Sequence, residues 1–295
     1  MSIQSNIAKL LLRHKIIGWQ DGTISEQRAQ QEKVAAFARL PAGISYQSID
    51  LDGIHGAWVK RVDPSRGVIL YLHGGAYMLG SIISHREFVA RLAQTTRSKV
   101  LIINYRLAPE DPYPAALEDA LAAYKWLLKQ GYDPAQIILA GDSAGGGLAL
   151  AVMLKLRSEG RPLPAGGVCI SPWTDLALTG DSYRSKAEVD PMLNFERIDD
   201  CAKLYAGQHD RKGPLISPLY GDLRDLPPLF IQVGTDELLL DDAEQFTERA
   251  REAGVEVTLE VWQGMFHVFQ IFPFLPETKR ALESIGQFVA RMMNK

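Results

Sequence analysis

From about residue 44 onward, apolar runs alternate with segments of helical period. The runs at 44–50 and 54–61 alternate polar and apolar residues, the pattern of half-buried antiparallel strands. Those at 67–72, 100–105, 136–140, 166–171 and 229–233 carry longer apolar stretches. Strands covered by helices on both faces of a parallel sheet read this way. A run at 255–262 completes eight strand candidates. Between them, 84–97, 115–130, 144–159, 241–253 and 277–293 repeat with the period of helices. The alternation predicts an α/β fold: an eight-stranded, mostly parallel sheet flanked by helices.

Two segments break the alternation. Residues 1–42 read as helical and precede the sheet, with Ile3, Ile7, Leu10 and Leu11 at helical spacing. Their longest apolar run, Leu10 to Leu12, is far shorter than the roughly 7–15 residues of a secretory core. This predicts an amphipathic helix lying on its own protein. Residues 173–226 form a connection between strands too long for a simple loop, and such connections usually carry function. The expected layout is N-terminal helices at 1–42 forming part of a helical cap, and a catalytic domain at 43–295 with a cap insertion at 173–226. The uncharged stretch from Gly67 to Ser84 contains His73-Gly74-Gly75 and Gly80, so it reads as a buried strand and turn rather than a membrane span.

Composition narrows the function classes. The chain of 295 residues is 46% apolar and 23% charged, as globular domains are. A net charge of -3 gives no basic excess for nucleic acid. Cys169 and Cys201 are expected to be reduced thiols, too few for a disulfide framework or a zinc site. The protein is expected to be cytoplasmic, without stable membrane insertion, and a homodimer stays open.

The chemistry begins at Gly141-Asp142-Ser143-Ala144-Gly145, between a strand candidate and a helix candidate. A G-x-S-x-G turn in that context presents its serine at the top of the sheet beside a helix N-terminus. The competing reading is a buried N-cap serine. His73-Gly74-Gly75 follows the third strand, where backbone N–H groups can face a developing oxyanion. Gly74, Gly75 and Ala144 are the expected donors, and His73 is expected to fix the loop rather than act as base. In the order serine, acid, histidine, only His209 and His267 follow Ser143. His209 sits in a polar stretch of the insertion, whereas His267 follows the last strand. Asp236 is the expected acid, with Glu237 next; Asp241 and Asp242 read as the acidic first turn of a helix.

These motifs together resemble the hormone-sensitive lipase family of bacterial esterases, which have the α/β-hydrolase fold. Tyr105-Arg106-Leu107-Ala108-Pro109-Glu110 and Ser171-Pro172-Trp173-Thr174-Asp175 strengthen the resemblance, which runs from about residue 44 to the end. Two departures stand out: Ala76 occupies the place of the family's frequent third glycine, and Glu237 that of the proline in its Asp-Pro-Leu. The resemblance implies a serine carboxylesterase for short- to medium-chain esters, working through an acyl-enzyme without metal or organic cofactor. Its partner is then a small-molecule ester. Deacetylase, lactonase or amidase chemistry on the same residues is the alternative, and a ligand-binding receptor is a more distant one. Tyr105 to Pro114 is expected to brace the loops. Met192, Phe195 and Tyr205 stay open between acyl-pocket lining and packing.

Overall fold

The computed structural model describes residues 2–14, 22–38, 40–62 and 66–294. Along the chain run α1 (Ile3–Arg13), α2 (Ile24–Ala36), β1 (Ile44–Leu51), β2 (Ile54–Arg61), β3 (Arg66–Leu72), α3 (Ile82–Thr96), β4 (Ser98–Ile103), α4 (Ala115–Lys129) and β5 (Ile137–Asp142). There follow α5 (Ala144–Ser158), β6 (Gly166–Ile170), α6 (Ser182–Ser185), α7 (Phe195–Ala206), β7 (Leu229–Gly234), α8 (Leu240–Glu252), β8 (Val257–Trp262) and α9 (Pro276–Met293). The strands form one sheet in the order β1-β2-β4-β3-β5-β6-β7-β8. Only β2 runs against the rest, pairing antiparallel with both β1 and β4. This is the α/β-hydrolase architecture, with the predicted strands in place.

The continuous apolar runs are explained by two cores. Along β3, Val68, Leu70 and Leu72 point into the core shared with α4, α5 and α8. Ile69 and Tyr71 point the other way, into the core under α3 and α9. Alternate residues of a strand face opposite sides, so a strand covered twice must be apolar at every position. Each such side chain contributes about 1.5–3 kcal/mol when fully buried.

The predicted N-terminal helix does lie on its own protein, but not through the expected face. Ile3, Ile7 and Leu10 stay exposed, while Ala8 and Leu12 pack with Met265, Phe266 and Phe269. Polar anchors set this rotation: Lys9 Nζ lies 2.7 Å from Asp236 Oδ2, and Ser2 bonds Glu277 through its backbone N–H and its hydroxyl. Residues 15–21, part of the predicted helical segment, lie outside the described residues. Among the described residues no helix is long and apolar enough to cross a membrane.

Candidate active site

β3 and β5 are parallel neighbours, Leu72 opposite Gly141. Yet the chain leaves β3 for β4 on one side and β5 for β6 on the other. Ligands of open α/β sheets bind in the crevice at such a switch point, beyond the carboxyl ends of the strands. Here the loop after β3 carries His73 to Gly80 and the turn after β5 carries Ser143.

Ser143 has φ 54° and ψ -122°, a conformation costing on the order of 1–3 kcal/mol in a non-glycine residue. Its surroundings hold it there. The Ser143 N–H donates to Ile170 O at 2.8 Å, and its carbonyl accepts from Trp173 N at 2.9 Å and Gly147 N at 3.1 Å. The flanking glycines are needed for clearance: a Cβ on Gly145 would lie 2.0 Å from Leu72 O, and one on Gly141 2.3 Å from Gly145 O. The side chain makes no capping bond to α5. Its Oγ lies instead 2.9 Å from His267 Nε2. Ser143 thus occupies the N-cap position of α5, but its side chain faces the histidine and does not cap the helix.

His267, in the loop after β8, is buried and engaged at both ring nitrogens: Nδ1 lies 2.8 Å from Glu237 Oε2. A carboxylate can only accept, so Nδ1 carries the proton and Nε2 faces Ser143 with its lone pair. Burial alone lowers the proton affinity of the imidazole. The hydrogen bond and charge of Glu237, then the charges of Asp190 and Asp142, outweigh burial and raise it above the ordinary 6.5.

The position expected for Asp236 is held by its neighbour. Glu237 is fully buried, and its Oε1 accepts from Ser171 Oγ at 2.9 Å and from Gly234 N–H. Asp236 turns away. Its N–H donates to Met265 O at 2.9 Å, and its carboxylate pairs with Lys9 of α1. Adjacent residues in this loop point in opposite directions, and the longer side chain lies on the histidine's side. Asp241 and Asp242 open α8; Asp242 is buried and accepts from Thr174 N and Asp175 N, both at 2.7 Å.

Gly74 also departs from expectation. Its N–H donates to Asp142 Oδ1 at 2.9 Å, where the Tyr71 hydroxyl also bonds at 2.6 Å, so it is not free for a ligand. Gly75 and Ala76, both at positive φ, border the cavity beside Ser143. Ala144 is the first residue of α5, where a helix has no acceptor of its own for the N–H. His73 is buried, bonds Gly74 O through Nδ1 at 2.9 Å, and stacks on Tyr105 with ring centroids 4.2 Å apart. Burial pushes its pKa down to about 3, so it stays neutral and braces the loop. The Tyr105 hydroxyl adds a 2.6 Å bond to His73 O.

A cavity of about 410 Å³ opens onto Ser143 and His267, within the usual range for small-molecule sites of roughly 300–1,000 Å³. Helix α2 supplies Gln27, Gln30, Gln31 and Val34, and the insertion supplies Met192, Leu193 and Ile198. Of the three open positions, Met192 lines this cavity. Tyr205 stacks on Tyr77 at 3.6 Å, and Phe195 packs edge-on against Tyr183. Sequence reasoning passed over the α2 glutamines, Ser171 as a bond to the acid, and Asp190. Ser171 left a trace as the first residue of the Ser-Pro-Trp-Thr-Asp motif, and Asp190 as an acid between Val189 and Pro191-Met192-Leu193.

A serine hydrogen-bonded to a buried histidine, at the switch point of a mostly parallel sheet, is the arrangement of an α/β-hydrolase. Comparison with known proteins agrees: a family model described as the alpha/beta hydrolase fold matches residues 69–271. An acetyl-hydrolase of Streptomyces hygroscopicus is 47% identical over 233 residues, covering 79% of this chain and 78% of that protein. The crystal structure of an esterase from the bacterial hormone-sensitive lipase family has a TM-score of 0.95 at 43% identity, covering 99% of both chains. That of EstE5 soaked with p-nitrophenyl butyrate has the same TM-score at 40% identity and covers all of both chains. The chain belongs to the bacterial hormone-sensitive lipase family of α/β-hydrolases, whose activity is carboxylic ester hydrolysis.

Proposed function

We propose that this chain is a serine carboxylesterase for short- to medium-chain acyl esters, with Ser143 as nucleophile, His267 as general base and Glu237 as the acid. The observation that carries the reading is the continuous relay from Ser143 Oγ through both nitrogens of His267 to a carboxylate whose other oxygen is already bonded. His267 Nε2 takes the hydroxyl proton as Oγ forms a bond to the acyl carbon. The carbonyl oxygen gains charge and is held by the N–H groups of Gly75, Ala76 and Ala144. Each such donor is worth on the order of 10²–10³ in rate, judged from proteases. The C–O bond to the alcohol then breaks as His267 returns the proton to the leaving oxygen. Water, deprotonated by the same histidine, attacks the acyl-enzyme; the acid leaves and Ser143 regains its proton.

Substrate class follows from the cavity. Its largely apolar wall of Met192, Leu193, Ile198, Phe88 and Phe272 suits an acyl chain. Helices α1 and α2 and the insertion at 173–226 act as its cap. The similarity to an acetyl-hydrolase supports the short end of the range. Initial rates on p-nitrophenyl esters from acetate to palmitate, wild type beside Ser143→Ala, test the reading. The expected result is a serine-dependent rate highest at short chains. Equal rates in both proteins would overturn it. Faster turnover of amides or lactones than of esters would move the chemistry to the alternative substrates.

A further inference from the structure

Asp190 lies in the insertion, between α6 and α7, and is all but buried. Its two oxygens serve two different parts of the site. Oδ1 accepts from the N–H groups of Met192 at 2.8 Å and Leu193 at 2.9 Å, both residues of the cavity wall. Oδ2 accepts from the N–H of Leu238 at 2.8 Å, the residue directly after Glu237. Through the Leu238 carbonyl this loop also takes the Ser182 hydroxyl at 2.6 Å, a second tie to the insertion. A carboxylate accepting several backbone N–H groups is a strong bridge, because each bond is charge-assisted.

We propose that Asp190 is a positioning residue that fixes the acyl-pocket wall and the loop of the catalytic acid against each other, so that a correctly seated wall and a correctly aimed Glu237 come together. The inference rests on the triad reading above. Burial raises the Asp190 carboxyl to about 6 against the opposing influence of His267 and the three N–H groups, so it is ionised at neutral pH and above. Its charge is then among the three, with Glu237 and Asp142, that favour the protonated imidazole of His267.

Two substitutions separate the two sides of the bridge. In Asp190→Asn the carbonyl oxygen stays with the two N–H groups of Met192 and Leu193, and the amide NH₂ faces the N–H of Leu238, donor against donor. The acid loop is released and the pocket wall is kept. Asp190→Ala releases both. Labelling of Ser143 by a fluorophosphonate, followed against pH, reads the relay; the p-nitrophenyl ester series reads the pocket. For Asp190→Asn we expect labelling to slow about tenfold, the midpoint of its pH profile to move down by about half a unit, and chain-length preference to stay as in wild type. For Asp190→Ala we expect the same slowing together with a flattened chain-length preference.

A loss of thermal stability with labelling rate and pH midpoint unchanged in both variants would overturn the inference, leaving Asp190 a loop-folding residue only. Should Asp190→Asn not fold, Asp190→Glu keeps the charge and displaces it by one methylene. Labelling slowed about fivefold supports the bridge, and wild-type labelling with wild-type chain preference overturns it. Wild type that is not labelled at Ser143 would overturn the triad reading and this inference with it. A labelled wild type beside an equally labelled variant overturns this inference alone.

Discussion

Replacing Glu237 by Gln changes one atom and should nearly silence the enzyme. The Oε1 position is surrounded by two donors, the Ser171 hydroxyl and the Gly234 N–H. In a glutamine they can be satisfied only by the carbonyl oxygen. The NH₂ is then forced to the Oε2 position, 2.8 Å from His267 Nδ1 in the present structure. Facing a donor, Nδ1 must become the acceptor, which moves the proton of the neutral ring to Nε2. That nitrogen then points a hydrogen at Ser143 Oγ and cannot take one. In the serine-protease triad, the equivalent acid-to-amide change costs about 10⁴ in kcat, or roughly 5 kcal/mol of transition-state stabilisation. We expect a fall of that order in kcat on p-nitrophenyl butyrate, with KM altered less than about threefold, since nothing in the cavity wall changes. Asp236→Asn is the control: its carboxylate faces Lys9, not the histidine, and kcat should fall less than about tenfold. A 10⁴-fold loss in Asp236→Asn beside a near-normal Glu237→Gln would refute the assignment and restore Asp236 as the acid.

Other outcomes follow from the same geometry. His267 must be neutral to act as base and its pKa is raised, so kcat/KM should fall on acidification through a midpoint above 6.5; a midpoint well below it would contradict the buried charges around the ring. Gly145→Ala drives a Cβ into the Leu72 carbonyl, and calorimetry should show a loss of at least about 3 kcal/mol, lowering Tm by about 6 °C or more. Ala76→Gly keeps the backbone donor and relieves a residue at φ 54°, so kcat should stay within about threefold of wild type. Lys9→Met leaves a partly buried Asp236 unpaired, and denaturant titration should show about 2 kcal/mol of lost stability.

The sheet and the strained turn at Ser143 could be read from the chain because both depend on local pattern. A strand covered on two faces has no choice but continuous apolar residues, and a turn where a Cβ would lie 2.0 Å from a carbonyl oxygen has no choice but glycine. The carboxylate beside His267 could not be read, because Asp236 and Glu237 are chemically alike and one residue apart. Which of them meets His267 depends on Met265 O holding the Asp236 N–H and on Lys9, more than 220 positions earlier, holding its carboxylate. The bond that occupies the Gly74 N–H is invisible for a similar reason: its acceptor, Asp142, stands 68 positions away. The face of α1 that is buried was hidden because polar anchors, rather than its apolar stripe, fix the helix.

The docking of α1 has a consequence for the order in which the molecule is made. The helix is synthesised early, yet its partners Asp236, Met265, Phe266 and Glu277 lie near the other end of the chain. During translation α1 must therefore wait, with Ile3, Ile7, Ala8, Leu10 and Leu12 all uncovered, until residues 236–277 have left the ribosome. At about 5–20 residues per second, that interval is on the order of 15–60 s. A nascent chain stalled before residue 236 would have the completed elbow but nowhere to seat its first helix. Protection of α1 from protease attack should thus come late, nearly simultaneous with the seating of His267 against Ser143.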